Sequence, residues 1–290
     1  MAPAPTPRIT LQPHGKDLGG GFTVRRLLPA AACRSVGPFI FFDHFGPVEA
    51  SPSDNHDVRP HPHIGLSTVT YLFEGAMMHR DSLGKVQRIE PGAINWMTAG
   101  RGIVHSERTP EDLRGVSRRS HGLQLWAALP EHDEEIEPSF AHTPAAALPV
   151  VQRHSATVRL LVGAAWNLIS PVMARSPTLY LDIALQAGAQ LALPLAEERA
   201  VYGVDAPFSL DGEQVPPLQM VLLRRGEQPV LSAQASARVM LIGGQPLGAR
   251  FLNWNFVSSR RERIEQARED WRAGRFAPVP GETEFIPLPD

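Results

Sequence analysis

His61-Pro62-His63 and His105-Ser106-Glu107 repeat one spacing, with a ligating side chain at i and again at i+2. On a β-strand, residues two apart point to the same face, so each pair aims both of its side chains one way. If two such strands are neighbours in a small barrel with these faces inward, three imidazoles and one carboxylate meet, and that is the donor set of a metal site. Neutral imidazole nitrogens and a single carboxylate suit Fe, Ni, Mn, Co, Cu or Zn. Four protein ligands on an octahedral ion would leave two positions for water, substrate or dioxygen. Each motif alone also reads as chance; together, four polar groups buried without a metal would cost several kcal/mol of desolvation.

All eleven histidines lie between His14 and His154 and none beyond, so histidine chemistry is expected in the first domain. His14, His44, His56, His79, His121, His132, His142 and His154 lack paired spacing and read as surface or hydrogen-bonded core residues, with His44 and His56 placed toward a pocket mouth. Cys33 is the single cysteine, which excludes an internal disulfide and a cysteine-rich zinc site. In PAAACRSV no base accompanies it, so it reads as a small core residue rather than a nucleophile. Gly100-Arg101-Gly102 fails as a dinucleotide loop because His105 stands where the third glycine belongs. No Walker loop, Gly-x-Ser-x-Gly or His-Glu-x-x-His is present.

The elements that must hold these motifs are strands. With 28 Pro and 24 Gly, the chain is punctuated too often for long helices. From residue 22 to about 130 it runs as short apolar segments bounded by Gly, Pro, Asp or Asn: FTVRRLL, GPFIFFDHF, STVTYLFEG, AINWMTAG, GIVHSE and HGLQLWAALP. A polar, acidic stretch from Pro130 to Pro149 suits a linker, and strands resume after it in VRLLVGAAW, TLYLDIALQ and RVMLIGG. The expectation is all-β: two tandem barrels, residues 1–135 carrying the metal and 136–290 lacking ligands. One helix is expected at about 259–274, opened by a Ser259/Glu262 capping box, with Ile264, Ala267 and Trp271 on one stripe and Gly274 closing it. Its arginines alternate with acidic residues, so they read as a solvated face.

A formal net charge of −2 gives no field that would gather nucleic acid or an anionic membrane. No stretch approaches the roughly 18 apolar residues of a membrane span, and MAPAPTPRIT has no signal-like apolar region. A cytoplasmic protein is the expectation.

HPHIGLSTVTYLFEG, INWMTAGRGIVHSE and HGLQLWAALP resemble the signature blocks of the pirins, which are bicupins. PFIFFDHFGP resembles that family's N-terminal segment, and FVSSRRERIEQAREDWRAGRF its C-terminal helix. The resemblance implies two cupin barrels and one metal, usually Fe(II), held by His61, His63, His105 and Glu107. In the general cupin pattern a carboxylate follows His-x-His by four residues; here that position is Ser67, expected to point toward the metal, while the carboxylate has moved to Glu107. The family's activities imply two functions. One is a dioxygenase that opens the flavonol quercetin with O2 and releases CO, with Glu107 as base and Met97 and Phe73 as apolar walls. The other is an iron-dependent redox sensor that binds a transcription factor or metabolic enzyme, with Arg101, Arg108, Arg118 and Arg119 relaying the change in charge.

Overall fold

The structure is a computed structural model that describes residues 7–17 and 22–289. It is mostly β, as the segment lengths predict, and two antiparallel seven-stranded sheets and two four-stranded sheets supply the barrels. In the histidine-bearing barrel the seven-stranded sheet runs Ser139–Thr143, Ile94–Thr98, Leu66–Glu74, Arg118–Ala128, Phe39–Ala50, Thr23–Leu28, His14–Asp17. Its four-stranded sheet runs Val58–His63, Ile103–Arg108, Met77–Asp81, Val86–Ile89. The other barrel repeats the plan with seven strands from Ile9–Leu11 at one edge to Val150–Arg153 at the other, and four strands between Gln190–Ala192 and Glu213–Val215. Its interior is an apolar cluster that includes Leu181, Ile183, Val201, Val239 and Leu241. No helix among the described residues is long and apolar enough to cross a membrane.

The two compact units are not contiguous in sequence. Of the described residues, one comprises 15–17, 22–26, 40–147 and 247–289; the other comprises 7–14, 27–39 and 148–246. This differs from a single cut at 135/136. The stretch expected as a linker folds: Ser139–Thr143 pairs along Ile94–Thr98 as an edge strand, flanked by 3-10 turns at Glu131–Asp133 and Ala145–Ala147. Its acidic composition hid an apolar anchor, Phe140, and a carboxylate that is buried because it is paired. Glu134, 3% exposed, sits 2.9 Å from Nε of Arg250 and accepts hydrogen bonds from Ser258 and Ser259.

The C-terminal helix, Arg261–Arg272, belongs to the unit of the histidine-bearing barrel rather than to the second. Ile264 and Ala267 are buried with Ile64 and Phe256, and Trp271 packs against them, so the expected stripe forms. The capping box does not form: Arg260 occupies the cap position without a side-chain bond, because the Ser259 hydroxyl donates to Glu134 instead. Gly274, at φ +66°, closes the helix as expected.

Because Arg250 stays buried when its partner is truncated, Glu134→Ala should cost about 3–5 kcal/mol of unfolding free energy. Chemical denaturation of the variant against Arg250→Met/Glu134→Leu measures it, and the apolar pair should recover most of the loss.

Candidate metal centre

Val58–His63 and Ile103–Arg108 are antiparallel neighbours, and the register sets His105 opposite His61 and Ile103 opposite His63. Directly opposed residues share a face, so the two sequence motifs converge through this one pairing. The ring centroids lie 4.4 Å apart for His61 and His105, 5.0 Å for His61 and His63, and 5.1 Å for His63 and His105. One nitrogen from each of the three falls within 4.8 Å of the others.

Val58–His63 is an edge strand, which is why it tolerates Pro60 and Pro62. Its open side is covered by the chain's end: Ile286 N–H donates to the Pro60 carbonyl, and Ile64 bridges Phe256 in parallel. On the neighbouring strand, Glu282 accepts a hydrogen bond from Ser106 and pairs with Arg108. The residues alternating with the ligands are thereby held by the C-terminal tail. His61 Nδ1 donates to the Arg59 carbonyl at 2.8 Å and His63 Nδ1 to the Asn255 carbonyl at 3.1 Å, which fixes these tautomers and frees both Nε2 atoms. His105 is 1% exposed, and among the described residues neither of its ring nitrogens has a partner.

Burial, the largest cause, lowers the pKa of all three imidazoles, to about 4 for His61 and well below the ordinary value for His63 and His105. They are neutral at pH 7, the form that binds metal. Glu107 lies two residues past His105, opposite His79 on one side. On the other side a bulge places Val58, not Arg59, across from it, and Arg59 is exposed to solvent. With desolvation unopposed, the carboxyl is pushed up to about 7. Glu107 is half-buried beside the cluster and is not among the three residues whose donor atoms converge within 4.8 Å.

The donors fit a divalent metal. Three neutral imidazoles with two free Nε2 atoms, an unpartnered third ring and an uncompensated carboxyl are costly as an empty polar pocket and suited to a cation. His61, His63 and His105 would hold it, with Glu107 available as a carboxylate.

Other expectations change. Ser67 does not follow the His61 and His63 alternation, because Gly65 at φ +67° breaks the phase. A Cβ at Gly65 would meet the Val257 carbonyl oxygen at 2.0 Å, so the left-handed glycine is required there. Ser67 pairs with Thr98 and Ala127, and its hydroxyl bonds Thr98. Thr68 is the residue opposite Trp126 and Met97, and the Trp126 ring meets His63 at 5.2 Å. Met97 is thus on the site's face as expected. Phe73 sits at a bulge and packs on His44 and His121 instead.

His79, expected as a surface or hydrogen-bonded core residue, is buried and bonds Asp81 at 2.9 Å, and it also adjoins His105 at 5.4 Å and stacks on Phe140 at 4.2 Å. The signal available was His79-Arg80-Asp81, a third i, i+2 pair. His44 and His121 are buried and bonded to each other, Nε2 to Nε2 at 2.7 Å, while His56 stacks on Phe22. The half-buried Cys33 thiol donates to Ser35, and burial raises its pKa, which suits an unreactive thiol. A groove of ≈ 580 Å³ in the second barrel, lined by Ile169, Met173 and Leu195 among others, contains no histidine.

A family profile described as Pirin matches residues 21–127, and one described as Pirin C-terminal cupin domain matches residues 180–277. A pirin-like protein of Caulobacter vibrioides is 49% identical over 280 residues, covering 95% of this chain and 96% of that one. A crystal structure of quercetin 2,3-dioxygenase from Acinetobacter baumannii superposes with a TM-score of 0.91 at 34% identity, covering 98% of this chain and 95% of that one. A second from the same organism gives a TM-score of 0.85 at 25% identity, covering 92% and 96%.

Three outcomes test the centre. His105→Ala should lose stoichiometric Zn2+ or Ni2+ in equilibrium dialysis, a larger loss than the about 10–100-fold that follows removal of a supporting hydrogen bond. Glu107 and the three imidazoles contribute pH dependences of opposite sign. The Glu107 pKa is raised from 4.5 to about 7 in the fold, so the metal-free fold binds this proton more tightly than the unfolded chain. Its contribution to metal-free stability should therefore fall as pH rises between those values, against the rise contributed by the three imidazoles, so the stability of Glu107→Gln should climb more steeply with pH there than that of the wild type. If Glu107 ligates, metal binding at pH 6 should release close to one proton, read by calorimetry in two buffers of different ionisation enthalpy; Glu107→Gln should release none.

Proposed function

We propose, from the premise that this chain belongs to the pirin family, that it is a metal-dependent dioxygenase that opens a flavonol, quercetin or a close analogue, with O2 and releases CO. The observation that carries this reading is the buried trio of neutral imidazoles beside a carboxyl held near pKa 7. A group poised near working pH can accept a proton and return it.

When bound, a divalent transition metal, with Fe(II) first and Zn, Ni, Mn, Co or Cu admitted by the donors, would supply Lewis acidity to a substrate hydroxyl and a route for electrons toward O2. The chain supplies the rest. His61 and His63 are fixed by backbone carbonyls, so little reorganisation accompanies ligation. Glu107 is the base for the flavonol 3-hydroxyl: its carboxylate takes the proton, leaving the substrate as the electron-rich enolate that reacts with O2. Trp126, Met97 and Phe140 form an apolar wall along the facing sheet that excludes water from that enolate. The quercetin 2,3-dioxygenase likeness supports the substrate class.

The regulatory reading has less support. Of its four arginines, Arg101 pairs with Glu137, Arg108 with Glu282 and Glu284, and Arg119 with Glu74, while Arg118 donates to the Ser51 and Asp54 carbonyls. Each already has an intramolecular role.

Oxygen consumption and CO release with quercetin by the iron-loaded protein test the function. Turnover should exceed that of the same concentration of free iron, and Glu107→Gln should lower kcat by about 10²–10⁴ with metal content measured alongside. A rate equal to free iron would sink the dioxygenase reading.

A further inference from the structure

The face of the seven-stranded sheet that looks onto the imidazole cluster is built in rows. Nearest the cluster, the directly paired residues Phe140, Met97, Thr68 and Trp126 run across four strands. Phe41 continues the row, stacked on Trp126 at 4.0 Å. Two residues along each strand, on the same face, lies a second row: His142, Asn95, Thr70 and Gln124, again in direct register. Asp43 extends it, since Phe41 neighbours Trp126 and Phe45 neighbours Gly122, which sets Asp43 beside Gln124. Arg26 ends it, gripping Asp43 through two hydrogen bonds of 2.8 and 2.7 Å. Beyond it, Leu72, Ala93 and Phe45 form an apolar cluster with Val24.

A polar belt six strands wide therefore lies between two apolar rows. Desolvating such a belt costs free energy, and an apolar filling like that of the second barrel would be cheaper to bury. The belt is also only half satisfied from within. Gln124 Oε1 accepts from Thr70 at 2.8 Å and Asn95 Oδ1 accepts from His142 at 2.7 Å. Neither amide NH2 has a partner among the described residues, and neither nitrogen is sealed off from solvent, so both are open to a ligand. Two accessible amide donors on one face suit a ligand with acceptor oxygens.

The spacing says which ligand. Two residues along a strand span about 6.6–6.8 Å, so the belt lies one ring-and-substituent length from the row that touches His63. We propose that this belt is the specificity subsite of the reaction proposed above, on which it rests: Gln124 and Asn95 donate to phenolic oxygens of the substrate's remote ring. The apolar row between belt and cluster packs the faces of the rings. The substrate class is an aromatic hydroxyketone that bears further hydroxyls at the end away from its chelating pair. A flavonol without those hydroxyls would leave buried donors unpaired, and such sites discriminate strongly.

Zn2+-loaded protein under nitrogen, where no turnover occurs, is titrated with quercetin and with 3-hydroxyflavone, which keeps the chelating hydroxyketone and lacks the remaining hydroxyls. Ligand absorbance and tryptophan fluorescence report binding, and metal content and thermal unfolding are checked for each protein. The wild type should prefer quercetin at least about tenfold, the factor one net hydrogen bond supplies. Asn95→Leu and Gln124→Met, chosen to keep volume, should each weaken quercetin by about that factor while 3-hydroxyflavone binds as well as or better than before. Loss of affinity for both ligands alike, or unchanged quercetin binding in both variants, would overturn the belt as a subsite and leave the dioxygenase reading standing. If neither flavonol binds the wild type, the dioxygenase reading fails and the subsite fails with it.

Discussion

The cross-strand register that opposes His105 to His61 is the constraint on which the rest of the histidine-bearing barrel depends. A slip of one residue would turn His61 and His63 outward and bring Pro60 and Pro62 to the interior, because side chains alternate with period two. Two features hold that register. Gly65 turns the chain at a positive φ where any Cβ would strike the Val257 carbonyl. The residues on the reverse of the ligand strands are bound by the tail, Pro60 by Ile286 and Ser106 by Glu282. The C-terminal segment thus supports the ligands, and its helix is docked on Ile64, the residue after His63.

Electrostatics in the interior follow from burial more than from charge pairing. Desolvation lowers the three imidazoles and raises Glu107, so metal-free protein at neutral pH holds neutral rings beside a carboxyl near its midpoint. The bulge opposite Glu107 keeps Arg59 from neutralising it. A guanidinium there would have given a permanently ionised, permanently occupied carboxylate. Arg26, the cation that does enter, is matched to Asp43 by a two-point grip and lies over Phe41.

The two barrels share a sheet plan and differ in filling. One interior centres on an apolar cluster of aliphatic side chains with Phe208; the other gives space to histidines and to a row of hydrogen-bonded polar side chains. Equal architecture with unequal interiors separates what the fold requires from what the chemistry requires.

Strand content, the paired spacing of the ligating residues and the C-terminal amphipathic stripe were all legible in the sequence, because each is a local pattern with a fixed period. Three features were not. The unit to which the C-terminal helix belongs is decided by docking onto Ile64 and Phe256, contacts roughly two hundred residues apart in the first case, for which the local pattern carries no address. Residues 130–149 looked like a linker because Glu134 is acidic, yet its burial is permitted by Arg250, far away in sequence. Ser67 was placed by counting alternation through Gly65, and a left-handed glycine resets that count, so Thr68 takes the inward place. The sequence by itself determined which side chains could ligate and on which period; only the tertiary structure decided which strands stand side by side, and hence which of those side chains meet, because strand pairing is a long-range contact that no local periodicity encodes.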